Sequence, residues 1–200
     1  MTAVWYLMRA TGVVSLVLLT IVFALGIATT NRWRVGRSPA FVTPAVHRSL
    51  ALLSVVFVAI HVVTAVVDPY AAVSVVAVAV PFASSWKPVW VGMGALSLDL
   101  VAALIVSSLL RRRVGLRAWR AIHWLAYLSW PVAFAHSLGT GSDVGTLWLQ
   151  LVAGACALAI GLAVAWRVAL RRPGKHLEPR RVPRPELARA AVHRRERTAA

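Results

Sequence analysis

The sequence has very little cysteine and few acidic residues. Cys156 is the only cysteine, which excludes a disulfide within the chain, a zinc site with several cysteine ligands and a cysteine-ligated iron–sulfur cluster. Only 6 residues are Asp or Glu, against 22 that are Lys or Arg, and the formal net charge is +16. Any metal or cofactor must therefore be bound by other side chains.

Charged residues of either sign are scarce because the chain is mostly apolar. They make up 14% of the 200 residues, whereas hydrophobic residues make up 60%, and the mean hydropathy is +0.74. A soluble domain needs a more polar surface, so the composition predicts a membrane protein. We expect an all-α, multi-pass transmembrane helical bundle over residues 1–170. Five stretches are long enough to cross a ~30 Å hydrocarbon core as helices: residues 5–28, 47–67, 89–110, 118–138 and 146–170.

The basic residues are concentrated on one side of this topology. Of the 22, 20 lie in three regions: between the first and second spans or at the start of the second, between the third and fourth or at the start of the fourth, and from Arg167 onwards. Because Lys and Arg mark cytoplasmic loops, we expect a cytoplasmic-membrane protein with its N-terminus outside and its C-terminus in the cytoplasm. Only Arg9 and Lys87 lie near the outer boundary.

Residues 171–200 differ in composition from the rest of the chain. They contain ten basic residues, three acidic residues and four prolines, which predicts a disordered basic cytoplasmic tail. Two roles are open for this tail: contact with anionic headgroups of the lipid bilayer, or solubility and orientation alone. We expect no nucleic-acid binding, because no folded or aromatic-interleaved module accompanies the charge.

Two connectors lie on the predicted outer side. The connector 68–88 contains an apolar run, residues 71–80, that is too short to span a membrane. We expect an interfacial or re-entrant segment over the outer mouth of the bundle, since the competing interpretation, a single strand, would leave backbone groups unsatisfied in lipid. The connector 138–145 predicts a plain turn, with docking of a cationic acceptor by Asp143 as the alternative.

Four of the six histidines lie inside predicted spans, where an ionisable side chain is costly and therefore indicates a function. His47 and His61 lie on the second span, and His123 and His136 on the fourth. The two spans run in the same direction, so His47 and His123 share an inner level, and His61 and His136 share an outer level. The two levels are roughly 20 Å apart at 1.5 Å per residue.

The spacing between the two histidines of each span also predicts the directions in which their side chains point. His47 and His61 return to within about 40° of each other on an ideal helix, whereas His123 and His136 are offset by about 140°, and Pro131 between them is expected to kink the span. Two imidazoles that face each other across a bundle suit axial ligation of a haem iron. Zinc fits less well, because no Cys, Asp or Glu lies at matching depth. The alternative from a different functional class is a haem-free structural or transport protein whose histidines form hydrogen bonds between helices.

This histidine pattern resembles that of the ferric reductase-like transmembrane domain, which ferric reductases, NADPH oxidases and the haem subunit of bacterial methionine sulfoxide reductase systems share. The segments that carry the resemblance are HRSLALLSVVFVAIH (47–61) and RAIHWLAYLSWPVAFAH (120–136), and the resemblance extends over residues 5–170. It implies two b-type haems stacked across the membrane.

The resemblance also assigns the ligands and suggests a function. It implies that His47 and His123 hold the inner haem iron, and that His61 and His136 hold the outer one. We expect a b-type cytochrome, an oxidoreductase component that carries electrons across the cytoplasmic membrane to an extracytoplasmic acceptor, either ferric iron or a redox partner protein. The alternative on the same scaffold is the quinol-linked haem subunit of a periplasmic reductase.

The electron donor is expected to be a separate molecule. Many members of this family have six spans and a C-terminal flavin and nicotinamide module, whereas this sequence has five predicted spans. It also shows no phosphate-binding glycine loop after a strand. We therefore expect a cytoplasmic flavoprotein or a membrane quinol as the donor.

Charged residues near the two levels are candidates to bind haem propionates, which need positive or hydrogen-bonding partners. These are Arg48 and Arg120 at the inner side and Arg9 at the outer side, with Lys87 a weaker outer candidate. The alternative is that they are ordinary flanking residues at the ends of spans. Asp99, the only carboxylate inside a predicted span, is expected to form a structural hydrogen bond to a neighbouring helix.

Overall fold

The computed structural model describes residues 2–30, 39–71 and 73–170, and in these residues it contains helices and no strand. The described residues up to Arg167 belong to one compact unit. The predicted all-α fold is confirmed. Eight helices follow one another along the chain: α1 (Ala3–Thr30), α2 (Val42–Val67), α3 (Val75–Ala79), α4 (Pro88–Leu109), α5 (Arg111–Val114), α6 (Leu116–His123), α7 (Ala126–Thr140) and α8 (Leu147–Leu170).

Two groups of sequence predictions lie outside the described residues. They concern the basic connector with Arg32, Arg34 and Arg37, and the tail 171–200.

Four helices are long and apolar enough to cross a membrane: α1, α2, α4 and α8. They correspond to the first, second, third and fifth predicted spans. Hydroxyl groups inside these helices bond back to the backbone of the same helix, as Thr20 Oγ1 does to the Leu16 carbonyl (2.8 Å) and Thr64 Oγ1 to the Ile60 carbonyl (2.7 Å). Such bonds satisfy a polar group that lipid cannot.

The outward faces of these helices are apolar. On α2, for example, Leu52, Val56 and Val63 are 55%, 53% and 60% exposed. A surface of this kind is normal where the surrounding medium is lipid and is unfavourable in water. We conclude that the chain is a multi-pass membrane protein.

The fourth predicted span, residues 118–138, is not one continuous helix, and the interruption precedes Pro131, where the sequence predicted a kink. It is divided into α6 and α7 at Trp124 and Leu125. Around this division the backbone forms tighter bonds between residues three apart, from Leu125 N to the Ile122 carbonyl (2.9 Å) and from Tyr127 N to the Trp124 carbonyl (3.0 Å). Pro131 lies within α7. Proline has no backbone N–H, and its ring crowds the carbonyl four residues earlier, here that of Tyr127. The departure from α-helical geometry therefore lies in the turns before Pro131 and not at Pro131.

The long helices pack in pairs. α1 lies along α2, α4 lies along α7, and α1 also contacts α7. A buried cluster of Leu16, Trp130, Cys156 and Ile160 joins α1, α7 and α8. The Trp130 indole Nε1 donates a hydrogen bond to Thr20 Oγ1 (2.9 Å), which fixes the orientation of the largest side chain in this cluster.

The connector 68–88 contains the short helix α3. Ser74 caps the helix by accepting a hydrogen bond from the Ala77 amide (3.1 Å). Ala77 is buried and packs in one cluster with Val91 of α4. The predicted segment is therefore present as a helix packed against the bundle, and the strand interpretation is wrong.

Asp68 anchors the start of this connector. It is almost fully buried at 1% exposed, accepts a hydrogen bond from the Ala71 amide (3.1 Å) and accepts another from Thr2 Oγ1 (3.2 Å). Pro69 follows it directly, which stops α2 at this point. The connector is thereby tied both to the end of α2 and to the start of α1.

Candidate functional site

The outer histidines face each other across the bundle. His61 on α2 and His136 on α7 have ring centroids 6.3 Å apart, with an angle of 77° between the ring planes. Both rings line one cavity of about 210 Å³. The structure thus brings together the two residues that the sequence places at the outer level.

Three of the four histidines are oriented by main-chain carbonyl groups. His61 Nδ1 lies 2.8 Å from the Met8 carbonyl, and His47 Nδ1 lies 3.0 Å from the Val22 carbonyl, both on α1. His136 Nδ1 lies 2.8 Å from the Trp90 carbonyl on α4. A carbonyl oxygen only accepts, so in each case Nδ1–H donates and the neutral ring keeps its free lone pair on Nε2. This is the arrangement that prepares a histidine to bind a metal ion.

Glycines make room for these rings on the neighbouring helices. A methyl group added to Gly94 of α4 would lie 2.6 Å from Cε1 of His136, and one added to Gly12 of α1 would lie 3.0 Å from Cε1 of His61. At Gly26, also on α1, the same distance to Cε1 of His47 is 3.4 Å.

Sequence reasoning missed these glycines, although one signal was available. Gly12 and Gly26 are fourteen residues apart, the same separation as His47 and His61. Since α1 and α2 pack along each other, equal spacing on the two helices matches each histidine with a glycine.

The inner histidines differ from the outer ones. His47 and His123 lie close enough for an electrostatic interaction between them. His123 is the last residue of α6, and its ring stacks at 4.7 Å on the ring of Trp119. Its Nδ1 is buried and has no hydrogen-bond partner in the described part of the chain.

The cavity beside the outer pair is mostly apolar. Val58 and Val62 of α2, Leu98 of α4 and Ala133 of α7 contribute to its wall. Residues of the connector 68–88 also line the cavity, so this segment covers the end of the bundle at which His61 and His136 lie. An apolar cavity with a few convergent polar groups is typical of a cofactor site.

Arg9 lines the same cavity and forms an ion pair that the sequence did not predict. Its Nη2 and Nε atoms both lie 2.7 Å from Oδ2 of Asp143. The two side chains are 15% and 29% exposed. Asp143 is therefore paired with Arg9, and docking of a cationic acceptor by Asp143 stays a prediction. The pair ties α1 to the loop before α8.

The remaining basic candidates lie at the surface. Arg48 on α2 and Arg120 on α6 are exposed. Lys87 donates a hydrogen bond from Nζ to the Gly139 carbonyl (3.1 Å) and begins α4 in a left-handed conformation with φ 42°. Binding of propionates by Arg48, Arg120 and Arg9 stays a prediction.

Asp99 does not form the hydrogen bond expected for it. Its side chain is exposed on α4, and it has no hydrogen-bond partner among the residues that the structure describes. It also does not line the cavity, whereas Ser97, two residues earlier, is buried and does. The reason is the helical rotation of about 200° between the two positions.

The geometry of the outer pair fits one metal ion held between two imidazoles. Metal–imidazole bonds are about 2 Å long, so two rings that share an ion through Nε2 have centres roughly 6 Å apart. The observed 6.3 Å agrees with this separation. Within the described ranges, no group of three or more His, Cys, Asp or Glu side chains is placed to hold a metal ion. A planar cofactor that needs only two axial protein ligands fits this donor set better than a metal ion with three or four protein ligands.

Comparison with known families gives one match. The model of the family described as ferric reductase like transmembrane component matches residues 11–134, which is more than half of the chain. The matched range includes His47, His61 and His123 and ends two residues before His136. Neither the curated proteins nor the solved structures give a match.

Proposed function

The chain belongs to the ferric reductase like transmembrane component family, and from this premise we propose that it is a membrane b-type cytochrome that carries electrons through two bis-histidine haems. Family membership in a membrane-spanning helical protein indicates a membrane redox component. The proposal adds the cofactors, the ligands and the direction.

The observation that carries the proposal is the outer histidine pair. His61 and His136 face each other at a distance that suits one shared iron, and each donates Nδ1–H to a carbonyl, which leaves Nε2 free. In a haem-free bundle the Nδ1 hydrogen bonds alone would satisfy these histidines, and nothing would require both rings to line one cavity. The haem-free alternative therefore explains less of the geometry.

The inner pair supports a second haem. His47 is oriented in the same way as the outer histidines, by the Val22 carbonyl, and His123 lies near it at the end of α6. Each haem, when bound, supplies one-electron iron chemistry. The chain itself orients the histidines that would hold each haem, and the apolar side chains of the cavity beside His61 and His136 exclude water there.

The charge distribution supports the proposed orientation of the chain in the membrane. Because 20 of the 22 basic residues fall on one side of the predicted topology, we propose that this side is cytoplasmic and that the His47 and His123 level is the inner one. The proposed donor is a cytoplasmic flavoprotein or a membrane quinol. The proposed acceptor lies outside the membrane and is ferric iron or a redox partner protein.

Optical spectroscopy of the purified protein tests the proposal. Protein from haem-replete cells should show a reduced-minus-oxidised b-type spectrum with two haems per chain. His61→Ala should leave one haem, whereas His193→Ala, a histidine outside the predicted spans, should leave both. Absence of any haem band from the wild-type protein would contradict the proposal and favour a haem-free bundle.

A further inference from the structure

His123 is held differently from the other three histidines. His47, His61 and His136 each donate Nδ1–H to a main-chain carbonyl on a neighbouring helix. The Nδ1 atom of His123 is buried and has no such partner in the part of the chain that the structure describes. Its backbone is also less constrained, because α6 ends at this residue. Another contact must therefore set the orientation of this ring.

Trp119 makes that contact. It lies four residues before His123 on α6, so the two side chains share one face of the helix. The ring centroids are 4.7 Å apart and the planes are tilted by 31°. A tilted ring contact at this distance restricts rotation of the imidazole about its own side-chain bonds.

Trp119 is itself held from two other helices. Its indole Nε1 donates a hydrogen bond to Ser108 Oγ on α4 (3.2 Å). The guanidinium of Arg111 on α5 lies over its ring, 4.4 Å from the centroid. Since Ser108 Oγ donates in turn to the Leu104 carbonyl (2.7 Å), its lone pair faces the indole. The Trp119 ring is thus fixed by a hydrogen bond and by a cation–π contact.

We propose that Trp119 is the positioning residue of His123 and takes the place of the carbonyl that orients each of the other three histidines. This proposal rests on the proposed function, because it concerns a haem ligand. Trp119 fixes the plane of the His123 ring through the contact between the two rings. Ser108 and Arg111 support it from α4 and α5. The proposed inner haem therefore has one ligand, His47, oriented by a main-chain carbonyl and one, His123, oriented by a side chain, whereas carbonyls orient both ligands of the proposed outer haem.

Variants that keep only one of the two haems test whether Trp119 positions His123. In His61→Ala the inner haem remains, and in His47→Ala the outer haem remains. Adding Trp119→Leu should weaken haem binding in the His61→Ala background by about 10- to 100-fold, the usual effect of removing a residue that orients a metal ligand. The same substitution should leave haem binding in the His47→Ala background unchanged. The measurement is haem retained per chain during dilution or competition with apomyoglobin.

Two further variants separate stacking from general packing. Trp119→Phe keeps an aromatic ring against His123 and should retain most of the inner haem. Ser108→Ala removes the anchor of the indole and should weaken inner-haem binding less than Trp119→Leu does. Trp148→Leu, at an exposed position on α8, is the matched control and should change neither background.

The outcomes distinguish this proposal from the proposed function. If neither parental background binds haem, the proposed function itself fails and this proposal fails with it. If both backgrounds bind haem but Trp119→Leu lowers retention equally in both, Trp119 supports the fold in general and the positioning role is wrong. Unchanged retention in both backgrounds would also overturn it.

Discussion

The rings of His61 and His136 lie 6.3 Å apart, and each is oriented by the helix that packs along its own. Met8 on α1 accepts from His61 on α2, and Trp90 on α4 accepts from His136 on α7. The bundle therefore contains two helix pairs, α1 with α2 and α4 with α7, in each of which one helix carries histidines and the other supplies carbonyls and glycines. His123 is the exception, because its ring contacts Trp119 on the same helix, α6, and not a main-chain carbonyl of a neighbouring helix.

The paired arrangement predicts that histidine substitutions are not additive. If His61 and His136 hold one haem together, then His61→Ala, His136→Ala and the double variant should each retain one haem per chain. His61→Ala combined with His47→Ala should retain none. The pyridine haemochrome assay measures this directly. A double variant of His61 and His136 that loses both haems would show that the pairing is wrong.

The glycines that face the histidine rings predict a graded series. Gly94→Ala places a methyl group 2.6 Å from Cε1 of His136, Gly12→Ala places one 3.0 Å from His61, and Gly26→Ala one 3.4 Å from His47. The imidazole must move most in Gly94→Ala, where its hydrogen bond to the Trp90 carbonyl opposes the movement. We expect outer-haem content to fall most in Gly94→Ala and less in Gly12→Ala, while inner-haem content stays near normal in Gly26→Ala.

The control for this series is Gly154→Ala on α8, where no atom of the described residues lies within 4 Å of the added methyl group. It should retain both haems and unfold at the same or a slightly higher temperature, because alanine favours the helix. An equal loss of haem in all four alanine variants would mean that steric contact with the rings is not the cause.

The histidine positions were largely predictable from the sequence, whereas their orientation was not. His47 and His61 are fourteen residues apart, and this spacing alone places them on one face at two depths. The carbonyls of Met8, Val22 and Trp90 give no such signal, because every residue has a carbonyl. Which of them a histidine meets depends on how two helices pack.

The division between α6 and α7 shows another limit of sequence reasoning. Trp124 and Leu125, where the helix is interrupted, are residues that helices normally accept, and Pro131 was the only local sign of a break. The ion pair between Arg9 and Asp143 joins positions 134 residues apart. Only the packed bundle brings such residues together.

The Arg9 and Asp143 pair predicts a coupling energy for stability. Both side chains are partly buried, so Arg9→Gln or Asp143→Asn leaves one charge without its partner and should cost about 1 kcal/mol. The double variant should cost less than the two single costs added together. A double-mutant cycle on the free energy of unfolding in mixed micelles measures the coupling. Strictly additive costs would show that the pair contributes nothing.

The same substitutions test whether Arg9 binds a haem propionate. In the His47→Ala background, Arg9→Gln should weaken retention of the outer haem, because Arg9 is the only Arg or Lys of the described residues that lines the cavity. Asp143→Asn keeps Arg9 and should retain the haem. Equal haem retention in Arg9→Gln and Asp143→Asn would show that Arg9 forms the ion pair but does not bind the haem.

The buried bond between Trp130 and Thr20 predicts a cost for removing the acceptor. Thr20→Val leaves the indole N–H without a partner in the core between α1 and α7, and should destabilise the protein by about 1 kcal/mol. Thr20→Ser keeps a hydroxyl and should recover most of this loss. Thermal unfolding, followed by the loss of the haem absorption band, reports the difference. Equal stability of the two variants would mean that the bond does not contribute.

The contrast between Asp99 and Ser97 predicts opposite effects of the same substitution on one helix. Asp99 is exposed on an apolar span, where an aspartate at the helix centre costs roughly 2.5–3.5 kcal/mol of insertion free energy. Asp99→Leu should therefore improve insertion and leave both haems bound. Ser97→Leu places a larger side chain into the wall of the cavity and should reduce outer-haem content. Membrane yield and haem per chain, measured side by side, test both. Loss of haem in Asp99→Leu would mean that the carboxylate acts on the cofactor from outside the cavity, contrary to its placement on α4.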